Sequence, residues 1–300
     1  MSDGMNSADA KRAKLRSDLR SERATVAVGA HDAMTASLIE KNGFDAVWVS
    51  GLGVSTMTYG LPDLNLITLT EALSAAVRID AATSLPVIGD CDNGFGSLSN
   101  LVRTVREYER SGIAAVCVED NTFPKRNSLY RGESQRELIP RDEQARRIRA
   151  AKRAQETTDF FFIARVESLI AGYGVDDAYD RASSYVEAGA DGLLVHSRDK
   201  TLAEIDTFLE RWDGSAEVPL VAVPTLFPDF TTDQLFDRGF RLIIFANQTM
   251  RAAVHATSEV LATLRAEGNA AAVDSNITPV DEIFELVETR EAIELEEGTA

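Results

Sequence analysis

Eight short apolar runs, at residues 26–30, 46–49, 86–89, 114–118, 160–164, 192–195, 220–223 and 242–245, alternate with segments of helical character. The helical segments cover residues 33–41, 70–82, 101–109, 141–155, 175–188, 202–211, 232–238 and 250–267. Asp32 is placed to cap the first of these, and Gly43 and Gly189 are placed to stop two of them. A strand-then-helix unit repeated in this way predicts a (β/α)8 TIM-type barrel. A doubly wound open sheet is the runner-up. The barrel is preferred because polar residues gather just after nearly every run: Ser50, Asp63, Asp90, Asp92, Glu119, Arg165, His196 and Asn247. In a barrel such positions converge at one mouth, the C-terminal face, whereas in an open sheet they would be strung along an edge.

Three hundred residues can bury a large core and still form one such domain. Residues 25–290 are assigned to it, with residues 1–24 as a charged helical extension and residues 291–300 as an acidic tail of disordered character. The net charge of −17 excludes a general phosphate-backbone binder of the kind that grips nucleic acid. It leaves room for a small anionic substrate, because a few local cations and a metal reverse the potential of one pocket. Cys91 and Cys117, the two cysteines, sit near the ends of apolar runs, and no Cys/His cluster has zinc spacing, so a reduced, cytoplasmic setting is expected. No apolar run approaches the roughly 18 residues of a membrane span. Residues 1–24 carry Lys11, Arg12, Lys14, Arg16, Arg20 and Arg23 without an apolar core, which is no signal peptide.

The fourth run ends in Glu119-Asp120 and opens into Asn121-Thr122-Phe123-Pro124-Lys125-Arg126-Asn127-Ser128. A buried strand that ends in acids and leads to a cationic, amide-rich loop suits a barrel that presents a metal and closes over an anion. A solvated loop is the plain alternative. Asp90 and Asp92, with Glu119 from the next strand, are an oxygen set suited to Mg²⁺ or Mn²⁺ and not to zinc. Taken singly, each acid could be a helix cap. Gly94 and Gly96 let the backbone turn tightly beside them. Ser50-Gly51-Leu52 can turn successive N–H groups into the mouth as a carboxylate cradle, or form an ordinary turn. Arg165 at a strand end demands an anionic partner, which Glu167 or a substrate supplies. His196 either donates to an anion or serves structure. Asp63 follows Gly60-Leu61-Pro62 on a loop that a barrel hangs over its mouth.

These residues, in this order, resemble the phosphoenolpyruvate mutase branch of the isocitrate lyase superfamily. The resemblance runs from Val26 to Glu288 and rests on Trp48-Val49-Ser50-Gly51-Leu52, Asp90 to Gly96, Glu119 to Ser128, Ala164-Arg165-Val166-Glu167 with Ile170-Ala171-Gly172, Val195-His196-Ser197 and Val223-Pro224-Thr225. It departs from the mutase signature at Asn121, where the family carries Lys. The resemblance implies a barrel with a swapped eighth helix in a homotetramer built as a dimer of dimers. It implies an isomerase, interconverting phosphoenolpyruvate and phosphonopyruvate. It further implies that Asp90 binds Mg²⁺ directly and Asp92 and Glu119 through water. Ser50, Gly51 and Leu52 would hold the pyruvate end, Arg165 and His196 would face the anionic groups, and Asp63 would sit near the migrating phosphoryl. Lys125, Asn127 and Ser128 would come from a gating loop. Formation of the C–P bond is uphill in this family, so an enzyme that consumes phosphonopyruvate is an expected functional partner.

Three neighbouring readings compete. Phosphonopyruvate hydrolase shares the barrel and metal site but carries Thr where this chain has Asn127. A C–C lyase of the methylisocitrate type places a reactive Cys in a Lys-Cys-Gly-His loop, whereas this loop reads Lys125-Arg126-Asn127-Ser128 and Cys117 sits inside a run. An oxaloacetate decarboxylase-like lyase is a further relative. Outside enzymes, Asn121 suggests a weakly active relative that binds an oxyacid.

Overall fold

A computed structural model describes residues 7–130, 136–212 and 218–298. It divides into two compact units, Met1–Asn247 and Gln248–Ala300.

The first unit is a closed barrel of eight parallel strands in sequential order. The strands are β1 (Thr25–Ala30), β2 (Ala46–Val49), β3 (Val87–Asp90), β4 (Ala115–Glu119), β5 (Phe161–Val166), β6 (Gly192–Val195), β7 (Leu220–Ala222) and β8 (Phe240–Phe245). β1 closes the ring by pairing with β8, Ala27 opposite Ile244. The sequence placed Asp90, Glu119 and Arg165 just beyond their runs, but each lies within its strand. The reason is pairing: Asp90 opposes Cys117, and Glu119 opposes Arg165, so the ladder extends one layer past the apolar residues.

Side-chain alternation along the strands makes two cores. Val47, Val87, Val116, Phe162 and Leu193 face outward to the helices. Ala27, Trp48, Ile88, Cys117, Ile163, Leu194, Val221 and Ile244 fill the interior. Leu15 and Leu19, from the N-terminal segment, join that interior core. The charged helix expected in this segment, Ser7–Asp18, is therefore seated on the barrel. Arg12 donates to the carbonyl of Ile113 and Arg16 to those of Thr158 and Asp159. Arg16 also pairs with Asp191 at 3.1 Å.

Helix starts follow local chemistry. Asp32 caps Ala33–Lys41 by accepting from the N–H of Thr35, and Thr68 with Glu71 forms a capping box before Leu69–Ala81. Both cysteines are free and buried. Among the described residues, no helix is long and apolar enough to cross a membrane.

The second unit holds a 20-residue helix, Gln248–Glu267, none of whose residues is buried. Helices Val280–Leu286 and Thr289–Glu296 follow. The segment expected to be a disordered acidic tail is thus helical through Glu296. Glu288, at φ 52°, separates these two helices. Residues 299–300 lie outside the described residues.

Candidate active site

The strand pleat decides what lines the mouth. Trp48, Ile88, Cys117, Ile163 and Leu194 point into the interior. Two residues further along the same face come Ser50, Asp90, Glu119, Arg165 and His196, and all five line one cavity of about 60 Å³. Leu52, Asp63, Lys125, Asn127, Ser128 and Asn247 also line it. Of the candidate site residues from sequence, Gly51 and Asp92 are not in that lining; both lie against Asp90, which is.

Gly51 begins the short helix Gly51–Gly53, which continues as a π-helical turn, Val54–Thr58. Ser50 caps it, its Oγ accepting from the N–H of Gly53 at 3.1 Å. A Cβ at position 51 would lie 3.1 Å from Asp90 Oδ2 and 3.4 Å from Asp92 Oδ1. The glycine therefore lets two carboxylates close on the backbone. Asp92 has φ 50°, followed by Gly94 at 85° and Gly96 at 132°, the tight turn expected after β3.

The acidic side of the site carries more negative than positive charge. Lys125, buried, donates from Nζ to Asp92 Oδ1 and pairs with Asp63 Oδ1 at 2.8 Å. Burial opposes its charge, but Asp92, Asp63, Asp90 and Glu119 outweigh that and hold it protonated. Burial pushes the Asp92 carboxyl well above its usual range; Lys125 opposes this, while Asp90 and Asp63 add to it. Glu119 is pushed up by burial too, with Arg165 and Lys125 opposing. Its Oε1 accepts from Asn121 Nδ2 at 3.0 Å, and Arg165 Nε stands 3.4 Å from Oε2.

Carboxylate oxygens with a surplus of buried negative charge fit a hard divalent cation such as Mg²⁺. Among the described residues no group of three or more His, Cys, Asp or Glu side chains is arranged as a direct metal-ligand set. An ion here would take few direct carboxylates and reach the others through water, as Mg²⁺ does.

The basic side is closed on itself. Arg165 Nε donates to Glu167 Oε1 at 2.6 Å, and its Nη2 reaches Ser128 Oγ at 2.7 Å and His196 Nδ1 at 3.0 Å. Ser128 Oγ donates to Glu167 Oε2 at 2.6 Å, and His196 Nδ1 lies 2.9 Å from Glu167 Oε1. Glu167 is the anionic partner that Arg165 demanded. Burial raises its carboxyl, but Arg165 and His196 more than offset this and hold it below the usual range. Burial, and then Arg165, pull the His196 pKa down, so the imidazole stays neutral. Among the described residues, its Nε2 is buried without a partner.

The loop after β4 is packed over the cavity. Asn127 Nδ2 donates to Asp63 Oδ2 at 2.6 Å. Lys125 and Ser128 are buried.

Sequence reasoning missed several supports. Asn65, at φ 57°, donates to Asp92 Oδ2 at 3.0 Å and accepts from the Lys125 N–H at 2.6 Å. An Asn two residues after Asp63, in a loop that needs the left-handed region, was the available signal. Asp120 is fully buried and accepts from the N–H of Glu167 at 3.0 Å and from Tyr185 Oη at 2.8 Å. Burial pushes its carboxyl up to about 6, against the pull of Arg181. Arg136 and Arg198 grip the loop backbone and had no signal in sequence.

A closed (β/α)8 barrel with acids on neighbouring strand ends, facing a buried Arg-Glu-His cluster, is the frame of a site for small oxyanions. The chain belongs to the phosphoenolpyruvate phosphomutase family, whose family model matches residues 15–265, within the phosphoenolpyruvate mutase/isocitrate lyase superfamily. It is 41% identical to a phosphonopyruvate hydrolase of Variovorax sp. (strain Pal2) over 92% of this chain and 94% of that one. A crystal structure of phosphoenolpyruvate phosphomutase from Streptomyces platensis subsp. rosaceus superposes with a TM-score of 0.91 at 38% identity, covering 95% of this chain and 98% of that one. A phosphonopyruvate hydrolase solved with oxalate and Mg²⁺ superposes at 0.86, also at 38% identity, covering 97% and 99%. These relatives are enzymes, and they divide between two activities on the same scaffold.

Proposed function

We propose that the protein is a cytoplasmic phosphoenolpyruvate mutase, interconverting phosphoenolpyruvate and 3-phosphonopyruvate. In this isomerisation the P–O bond to the enol oxygen breaks and a P–C bond forms at the methylene carbon, with no water consumed. The observation that carries the reading is the seating of Asn127 against Asp63 inside the cavity, beside Arg165 and His196. An amide there meets the phosphoryl group with a donor and offers no hydroxyl to compete as a nucleophile.

The residues divide the work. Arg165, fixed by Glu167, faces an anionic group with a permanent charge. His196 presents Nε2 to the same cavity, while its Nδ1 is held between Arg165 and Glu167. The leading N–H groups at Gly51 and Leu52 lack partners earlier in their helix and suit the pyruvate carboxylate. Asp63 and Asn127 flank the migrating phosphoryl. Asp90, with Asp92 and Glu119 through water, would hold Mg²⁺ or Mn²⁺. When bound, that ion supplies positive charge opposite a developing enolate and loose phosphoryl transition state. The packed loop keeps water from a phosphoryl group that would otherwise be lost to hydrolysis.

Phosphonopyruvate hydrolase is the second reading, favoured by the 41% identity to the Variovorax enzyme. The deciding experiment is ³¹P NMR of the purified protein with phosphonopyruvate and Mg²⁺. A phosphoenolpyruvate signal supports the mutase; inorganic phosphate with pyruvate supports the hydrolase. No change directs attention to oxaloacetate and to oxyacid binding without turnover. The reading carries two companions: a homotetramer, checked by light scattering, and a phosphonopyruvate-consuming enzyme to pull the uphill step.

A further inference from the structure

Asn127 and Ser128 are each held from two directions. Their side chains reach inward, Asn127 to Asp63 and Ser128 to Arg165 and Glu167. Their carbonyls are taken by two arginines outside the cavity lining. Arg136 Nη2 donates to the Asn127 carbonyl at 2.6 Å and to that of Tyr130 at 3.0 Å, while its Nη1 reaches the Arg126 carbonyl at 2.8 Å. Arg198, three residues beyond the end of β6, donates to the Ser128 carbonyl from Nε at 3.0 Å and from Nη2 at 2.7 Å, and to Tyr130 at 2.9 Å.

Neither arginine forms an ion pair among the described residues, so the hydrogen-bonding capacity seen for both guanidinium groups goes to this one stretch of backbone. A guanidinium fork on a carbonyl fixes the plane of that peptide, and the plane fixes where the adjoining side chain points. If the carbonyls of residues 127 and 128 rotate away, the amide of Asn127 and the hydroxyl of Ser128 leave the cavity with them. The two cations also repel each other, and Arg198 adds to the effect of burial in pulling the Arg136 pKa down. The loop carbonyls between them offset that repulsion, and opening the loop would restore it.

We propose that Arg136 and Arg198 are positioning residues that form a latch on the peptide planes of residues 126–130 and thereby set the ratio of phosphoryl transfer to the enolate oxygen over phosphoryl loss to water. The proposal rests on the phosphonopyruvate reading given above. In the transfer, the C–P bond of phosphonopyruvate breaks as a P–O bond to the enolate oxygen forms. In the loss, phosphorus bonds a water oxygen, the C–P bond breaks, and a proton from water completes the methyl group of pyruvate. A loop that opens during the phosphoryl group's lifetime admits that water.

The test uses the full chain with phosphonopyruvate and Mg²⁺, comparing wild type, R198A, R136A and R198K. ³¹P NMR reads the phosphate-to-phosphoenolpyruvate ratio, and hydrogen exchange reads the amides of residues 126–130. Each alanine variant is expected to raise both ratio and exchange rate by about tenfold, the scale of one charge-assisted hydrogen bond. R198K keeps the charge without the fork and is expected to fall between; it carries the test should R198A fail to fold. An unchanged ratio in folded variants overturns the proposal, whether or not exchange rises. A wild type that makes only phosphate overturns the mutase reading instead. The latch is then judged by exchange alone, and unchanged exchange overturns it.

Discussion

Glu119 and Glu167 stand near the ends of adjacent strands, both buried, both beside Arg165, yet their carboxyls are driven in opposite directions. Burial penalises both. Glu167 has its oxygens filled by Arg165, His196 and Ser128. Glu119 has one amide from Asn121 and a looser approach from Arg165. One carboxylate is therefore completed by the protein, and the other is left to be completed from outside. The difference separates a preorganised anion side from a cation-seeking side within one small cavity.

The sharpest way to break that contrast is to remove the cation-seeking side. Asp90→Ala is expected to cost roughly 10³-fold in turnover, the factor implied by losing several kcal/mol of charge stabilisation. Turnover that persists unchanged in chelator-treated enzyme would sink the metal assignment.

Removing the completed side tests stability instead. Glu167→Gln leaves Arg165 buried without its acid and is expected to cost about 3 kcal/mol at pH 7, read by denaturant unfolding. Because the folded-state pKa of Glu167 is held below its ordinary 4.5, its contribution is fully present above pH 4.5. It is lost as pH falls through the depressed value, so the gap between wild type and variant should narrow in acid.

Asn127→Thr trades the amide on Asp63 for a hydroxyl and is expected to shift flux toward pyruvate and phosphate by about tenfold in ³¹P NMR. An unaltered product ratio would show that this residue does not discriminate. The smallest effect is expected from Asn121→Lys. An ammonium beside Glu119 would satisfy the incomplete carboxylate and compete with a divalent cation, weakening Mg²⁺ binding by about threefold in calorimetry. Tighter binding would contradict the contrast between the two glutamates.

The strand runs and the acids that follow them were legible because strand parity and barrel closure are local consequences of the sequence. Trp48 facing inward makes Ser50 face inward, and Cys117 does the same for Glu119. Less legible was whatever depends on which backbone atoms approach which side chain. Arg136 and Arg198 act on carbonyls, which every residue owns, so nothing in the sequence marks them. Glu167 was visible as a partner for Arg165 but not as the meeting point of His196 and Ser128, because Ser128 arrives from a distant loop. Asp92 was read as a mouth residue; that its carboxylate is taken by Lys125 and Asn65 was not legible, because both arrive from distant loops. The C-terminal acidic run was read as disordered from its charge, yet Ala292, Ile293 and Leu295 lie within the helix Thr289–Glu296.

The seated helix Ser7–Asp18 has a consequence for biogenesis. Its docking partners, Ile113, Thr158, Asp159 and Asp191, lie far downstream in the chain. A ribosome delivers the helix before these receptors. The interior core that Leu15 and Leu19 join also contains Leu242 and Ile244, so their burial is complete only once β8 has emerged to pair with β1.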